Sequence, residues 1–132
     1  MTARRFSKFV LWLNAAVWLG FGLGYTIVPE AFAALVGVAI SRHDSFLIMA
    51  DVGMMMVGIG IWYIACALRD NWTRPGLVSA LLICAGMLIG RIIGIAVAGS
   101  INNVIAVYVA LELLDTALIL AALRFVPLTR AS

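Results

Sequence analysis

The run Gly76–Ala98, GLVSALLICAGMLIGRIIGIAVA, decides what kind of chain this is. A transmembrane helix needs about 20 mostly apolar residues, and this run supplies them with a single charge, Arg91. Three further runs have the same character. Phe9–Val28 is stopped by Pro29, Phe46–Leu68 by Arg69-Asp70-Asn71, and Val104–Val126 by Pro127. A membrane strand would need only about ten residues with alternating polarity, so these runs predict helices. The whole chain is 65% hydrophobic and 11% charged, with a mean hydropathy of +1.15. A soluble globule carries roughly 25% charged residues, so the expected solvent is lipid. The reading is an all-α integral membrane four-helix bundle, one domain over residues 1–132, with no room for a soluble domain.

The connections between the runs add two expectations. Those after the second and third runs are short and predict antiparallel neighbours. The one after the first run opens with Pro29-Glu30, continues through Ala31–Val36 and reaches Gly37. Proline at the first helical position, an early glutamate and a terminal glycine predict a short helix, too short to span and therefore interfacial, at the outer surface. Arg4-Arg5 ahead of an apolar run could mark a cleaved leader. The run is too long for that, no small-residue cleavage site follows, and it is read as the first span.

Lys and Arg set the orientation. Arg4, Arg5, Lys8, Arg69, Arg74, Arg124 and Arg130 flank one side of the expected membrane and Arg42 the other. The asymmetry predicts a multi-pass protein of the inner (plasma) membrane with both termini in the cytoplasm. The net charge of +3 comes from these flanks, which leaves no basic patch for nucleic acid.

Four charges lie inside the runs: Asp51, Arg91, Glu112 and Asp115. A charge at membrane depth costs several kcal/mol or more, so each needs a partner, water or a task. Counting about 1.5 Å per residue from the outer ends puts Asp51 about 8 Å deep, Arg91 about 10 Å, Glu112 about 12 Å and Asp115 about 17 Å. The expectation is one polar layer in the outer half, fed by three helices. Tyr108, Glu112 and Asp115 share a helix face by their spacing. Arg91 stays charged in any protein environment and can grip a carboxylate at two points, with Glu112 its first candidate and Asp51 its second. The layer sums to −2, so the remaining acids are neutral, hydrated, or matched by a cation or another subunit.

Small residues mark close packing. Gly86, Gly90, Gly94 and Ala98 repeat every four residues on the third span, and Ala16, Gly20 and Gly24 do so on the first. Such ladders let backbones approach, within one chain or between chains. Gly60 lies off any ladder, so enlarging it should matter less than enlarging Gly90 or Gly94.

The chain resembles a small four-span bacterial membrane family catalogued only as a domain of unknown function. The matching stretches are Gly22-Leu23-Gly24-Tyr25 leading to Val28-Pro29-Glu30, then Asp51 followed by Gly53, Gly58 and Gly60. Gly90-Arg91-Ile92-Ile93-Gly94 followed by Gly99, and Leu111-Glu112-Leu113, complete the match. Members of that family often carry an arginine shortly after the aspartate of span two, where this chain has Val52-Gly53-Met54. The resemblance implies four helices in a bacterial inner membrane, with Asp51, Arg91 and Glu112 as signature polar positions. It implies no activity, substrate or cofactor.

Several chemistries lack their residues. His43, expected in the outer loop, is the one histidine, and Cys66 and Cys84 differ in depth without a CxxC, so free thiols and no metal or haem site are expected. Ser79 has no base near it in the pattern. The functional expectation is therefore a non-enzymatic binding or interaction protein whose polar layer fixes the bundle and holds a lipid or other amphipathic molecule. The alternatives are a proton- or cation-coupled transporter or channel subunit acting as a homo-oligomer, and an accessory subunit of a larger membrane enzyme complex. An enzyme in its own right ranks last, because acids and one arginine without a nucleophile or metal motif define no reaction.

Overall fold

The computed structural model describes residues 2–35 and 42–126, with the side chains of 42–48 left aside. Five helices follow one another: α1 Ala3–Ile27, α2 Pro29–Leu35, α3 Arg42–Leu68, α4 Thr73–Ala98 and α5 Asn103–Arg124. A 3-10 turn, Asp70–Trp72, joins α3 to α4. The chain is all-α, and among the described residues there is no strand. α1, α3, α4 and α5 are each long and apolar enough to cross a membrane.

α1 and α3 begin earlier than hydropathy predicts, at Ala3 rather than Phe9 and at Arg42 rather than Phe46. Hydropathy marks where lipid would end, and a helix continues past that point as long as nothing breaks it. His43 is therefore helical in its backbone rather than part of a loop. The short helix after the first run is present as α2, with Pro29 at its start and Glu30 in its first turn. Gly37, its expected stop, lies outside the described residues.

The chain divides into two compact units. Trp12 to Ala65 form one. Here α1 and α3 meet backbone to backbone at two glycines. A Cβ on Gly22 would stand 2.7 Å from the Gly53 carbonyl oxygen and 2.8 Å from the Val57 nitrogen. A Cβ on Gly53 would run into the Thr26 hydroxyl and stand 2.7 Å from the Gly22 carbonyl oxygen. That hydroxyl donates to the same Gly22 oxygen at 2.8 Å, so its hydrogen-bonding capacity is used at the contact. α2 returns onto the last turns of α1. Phe32 packs over Gly24, where a Cβ would strike its ring, and meets Phe21 edge-on with centroids 5.9 Å apart.

The other unit takes the chain up to Leu11 and from Cys66 onward. α4 and α5 form an antiparallel hairpin. Gly99 closes α4 with φ 66 and donates its N–H to the Ile95 carbonyl at 2.9 Å, a left-handed stop that favours glycine. Asn102 opens α5 by accepting the Ile105 N–H on its side-chain oxygen at 2.8 Å. At the other end of the unit the start of α1 is tied in. The fully buried Ser7 hydroxyl donates to the Ala122 carbonyl at 3.1 Å, and Gly76 leaves room for Cys66 and Leu11.

Apolar side chains point outward in quantity. Val97 is 84% exposed and Leu82 68%. Only 11% of the most apolar window of α4, and of α5, is covered by the protein itself. Surfaces of this kind are stable against lipid and not against water.

Of the ladder glycines, Gly24 is packed against Phe32 and the others are open. A Cβ at Gly20, Gly86, Gly90 or Gly94 would meet nothing within 4 Å among the described residues. The tight positions are Gly22, Gly24, Gly53, Gly60 and Gly76. Gly60, read as tolerant, would place a Cβ 2.6 Å from Leu19 Cγ and 3.2 Å from the Ala15 carbonyl oxygen. A spacing of four marks a smooth face, while the opposing helix decides whether anything fills it. Gly53→Ala should therefore destabilise the detergent-solubilised protein by about 1–3 kcal/mol through overpacking. Gly90→Ala should be neutral or stabilise by up to about 1 kcal/mol, because alanine is the better helix former. Thermal unfolding of both variants checks this, and equal losses would contradict it.

Candidate functional site

The polar residues of α4 and α5 meet through the hairpin. The two strands of helix run antiparallel from the Gly99–Asn102 turn, so residues at similar distances from it face each other. Arg91 Nε donates to Glu112 Oε1 at 2.7 Å, and the Cys84 thiol donates to Asp115 Oδ2 at 3.2 Å. Tyr108, one turn before Glu112 on α5, lies under the Arg91 guanidinium, 5.0 Å from ring centroid to Cζ. Thr116, one turn after Glu112, donates its hydroxyl to the Glu112 carbonyl oxygen at 2.7 Å.

The pair is uneven in its exposure. The Glu112 side chain is 7% exposed and that of Arg91 30%. Glu112 Oε1 carries the arginine, but Oε2 is buried with no hydrogen-bond partner among the described residues. A side-on arginine would have satisfied both oxygens, and this one bonds through Nε. A buried carboxylate oxygen without a donor is costly, because the desolvation is not offset. Such a group calls for an explanation by a water, an ion or a ligand.

Arg91, Glu112, Tyr108 and Asp115 are thus brought together in one unit, with Arg91 on Glu112 as the spacing and the cost of an unpaired arginine predict. Asp51 stands on α3 in the other unit, where it is exposed. Asn14, the polar residue of the first span, is buried in that unit as well. Two features are absent from the sequence reading. The Cys84–Asp115 hydrogen bond had no signal beyond similar distance from the turn. Buried Ser7 and Thr73 sit near helix ends, where a hydroxyl attracts no notice; Thr73 donates toward the Cys66 and Arg69 carbonyls at 3.5 and 3.4 Å. Cys66 and Cys84 are free and buried. Among the described residues no group of three His, Cys, Asp or Glu could hold a metal ion.

The pair has a measurable consequence. Arg91→Leu leaves Glu112 buried without its cation, and Glu112→Gln leaves Arg91 without its anion. Each single change should cost about 3 kcal/mol, because breaking one partner strands a charge. The double variant should lose less than the sum, with a coupling of about 1–3 kcal/mol. A double-mutant cycle on unfolding in detergent measures it, and additive losses would mean the two side chains act independently.

No curated protein and no solved structure matches the chain. A family model described as "Domain of unknown function (DUF4345)" matches residues 6–123, from the first turn of α1 to the last turn of α5. The chain belongs to the DUF4345 family.

Proposed function

We propose that this is a multi-pass protein of a bacterial inner membrane, with both termini cytoplasmic, whose task is binding rather than catalysis. Its site is the α4–α5 polar cluster, and its ligand is a lipid or other amphipathic molecule that enters from the outer leaflet. One observation carries this reading: the buried Glu112 Oε2 without a donor, beside an arginine that bonds through Nε. A ligand with an acceptor for the remaining guanidinium N–H groups and a donor for Oε2 would complete both residues. Arg91, the more exposed partner, would meet it first and shift to admit it. The apolar faces around the pair suit a hydrocarbon tail.

A second reading has its own support. Asp51 is exposed on an apolar helix, and the Gly86–Gly90–Gly94 face is open. An exposed carboxylate at membrane depth favours a partner. That would fit a homo-oligomer, including a proton- or cation-coupled transport subunit, or a place in a larger membrane complex.

Native mass spectrometry of the full chain from a mild detergent separates the readings. The ligand reading expects a retained small molecule on the wild type, reduced about tenfold or more in occupancy by Glu112→Gln, since a buried hydrogen bond to a charged group is lost. A bare monomer that also takes up no added lipid would overturn it, and a bare oligomer would favour the second reading. The orientation has its own test in a Cys66→Ala/Cys84→Ala background. Asn102→Cys should react with an impermeant thiol reagent added outside cells, and Asn71→Cys should not. The reverse pattern would invert the topology.

A further inference from the structure

At the end of α4 remote from the Gly99 turn, the unit gathers cations onto a rigid seat. The buried Ser7 ties α1 to Ala122, Phe6 meets Phe125 edge-on with centroids 6.1 Å apart, and Arg74 Nη1 donates to the Val126 carbonyl at 2.5 Å. Among the described residues, six cations belong to this end by their place in the helices: Arg4, Arg5, Lys8, Arg69, Arg74 and Arg124. The acid among them is Asp70, in the turn before α4. Arg4 and Lys8 both pair with it, Lys8 Nζ at 2.8 Å from Oδ1. The exposed Arg69 lies over Trp72, 4.4 Å from ring centroid to Cζ.

Orientation in a membrane requires only that positive charge be on one side; it does not require the cations to be held. Here Asp70 draws two of them to the turn and Trp72 holds a third beside it. At the turn itself Arg4, Lys8 and Arg69 stand against the one carboxylate of Asp70, an excess of two positive charges that favours an anion. Exposed apolar residues stand next to them in the chain: Leu68 beside Arg69 is 67% exposed, Phe125 beside Arg124 54% and Phe9 beside Lys8 53%. Trp72 is a residue type that anchors at the lipid headgroup level.

We infer that Arg4, Lys8, Arg69 and Trp72 form a binding site for the headgroup of an anionic glycerophospholipid in the leaflet bordering this end. A two-phosphate lipid is preferred to a one-phosphate lipid. Charge complementarity chooses the phosphates, and the exposed apolar side chains beside the cations choose a lipid over a free anion. The excess charge exceeds what one phosphodiester neutralises, which is why two phosphates fit better. The site is separate from the Arg91–Glu112 cluster and does not depend on it.

The test uses the full chain in a nonionic detergent. Diphosphatidylglycerol, phosphatidylglycerol, phosphatidylcholine and inorganic phosphate are each added, with thermal stability and bound mass as readouts. A lipid that binds the folded protein raises its midpoint with concentration. Diphosphatidylglycerol should bind about tenfold or more tightly than phosphatidylcholine, with phosphatidylglycerol between them, and inorganic phosphate should leave the midpoint unchanged. Arg4→Gln/Arg69→Gln should weaken diphosphatidylglycerol binding about tenfold. Arg5→Gln/Arg124→Gln removes the same charge while keeping the Arg4, Lys8 and Arg69 contacts to Asp70 and Trp72, and should weaken it by less than about threefold. Trp72→Leu keeps every charge, should also weaken binding, and carries the test if the first double variant does not fold. Equal weakening by the two double variants would reduce the effect to diffuse attraction and overturn the site. So would a midpoint shift from inorganic phosphate equal to that from the lipid, or unchanged binding in Trp72→Leu.

Discussion

An arginine that cannot lose its charge, carried in the apolar run Gly76–Ala98 with no other charged residue, governs the α4–α5 hairpin. Arg91 must find an acceptor at membrane depth, and Glu112 Oε1 at 2.7 Å is the acceptor it finds. Much of the local arrangement serves that bond. The left-handed Gly99 and the Asn102 cap make the turn short, which fixes the register of the two helices. Tyr108 supports the guanidinium from below, and Thr116 engages the backbone behind Glu112. The Glu112 side of the bond is buried, and that burial makes the uncompensated Oε2 expensive.

The glycines show how packing is decided by the opposing surface. Gly22 and Gly53 are not on the most regular ladders of the chain, yet each faces the other's backbone. Gly86, Gly90 and Gly94 are evenly spaced and face open space among the described residues. In lipid there is little hydrophobic gain from joining two helices, so small residues matter only where another backbone or side chain approaches. The open face on α4 is accordingly left to lipid or to another protein surface.

These contrasts explain what could be read from the amino-acid order. The four long helices were legible because uninterrupted apolar runs have one stable form in a bilayer, and α2 because Pro29 and Glu30 mark a helix start. Arg91 with Glu112 was legible because the cost of an unpaired charge is large enough to outweigh everything local. Helix ends at Ala3 and Arg42 were not, since hydropathy follows lipid contact and the backbone does not stop there. The tightness of Gly60 and the bond from Cys84 to Asp115 were not legible either. Both depend on which residue of another helix stands opposite, and spacing within one helix carries no record of that.

Coverage and polarity are at odds in the hairpin, and that tension bears on function. The most apolar windows of α4 and α5 are each only 11% covered by protein, yet the hairpin contains the arginine, both of its neighbouring acids and the thiol bonded to one of them. A purely structural ion pair would gain from deeper cover, because low dielectric strengthens it and lipid contact does nothing for a charge. Arg91 is instead 30% exposed while its partner is 7% exposed. The half of the pair that can be reached is thus the half with N–H donors to spare, and the half that is sealed is the one lacking a donor. An acceptor arriving at Arg91 would therefore act on the bond that joins α4 to α5. On the proposed binding role, occupancy of the site and the packing of the hairpin would be coupled through one hydrogen bond.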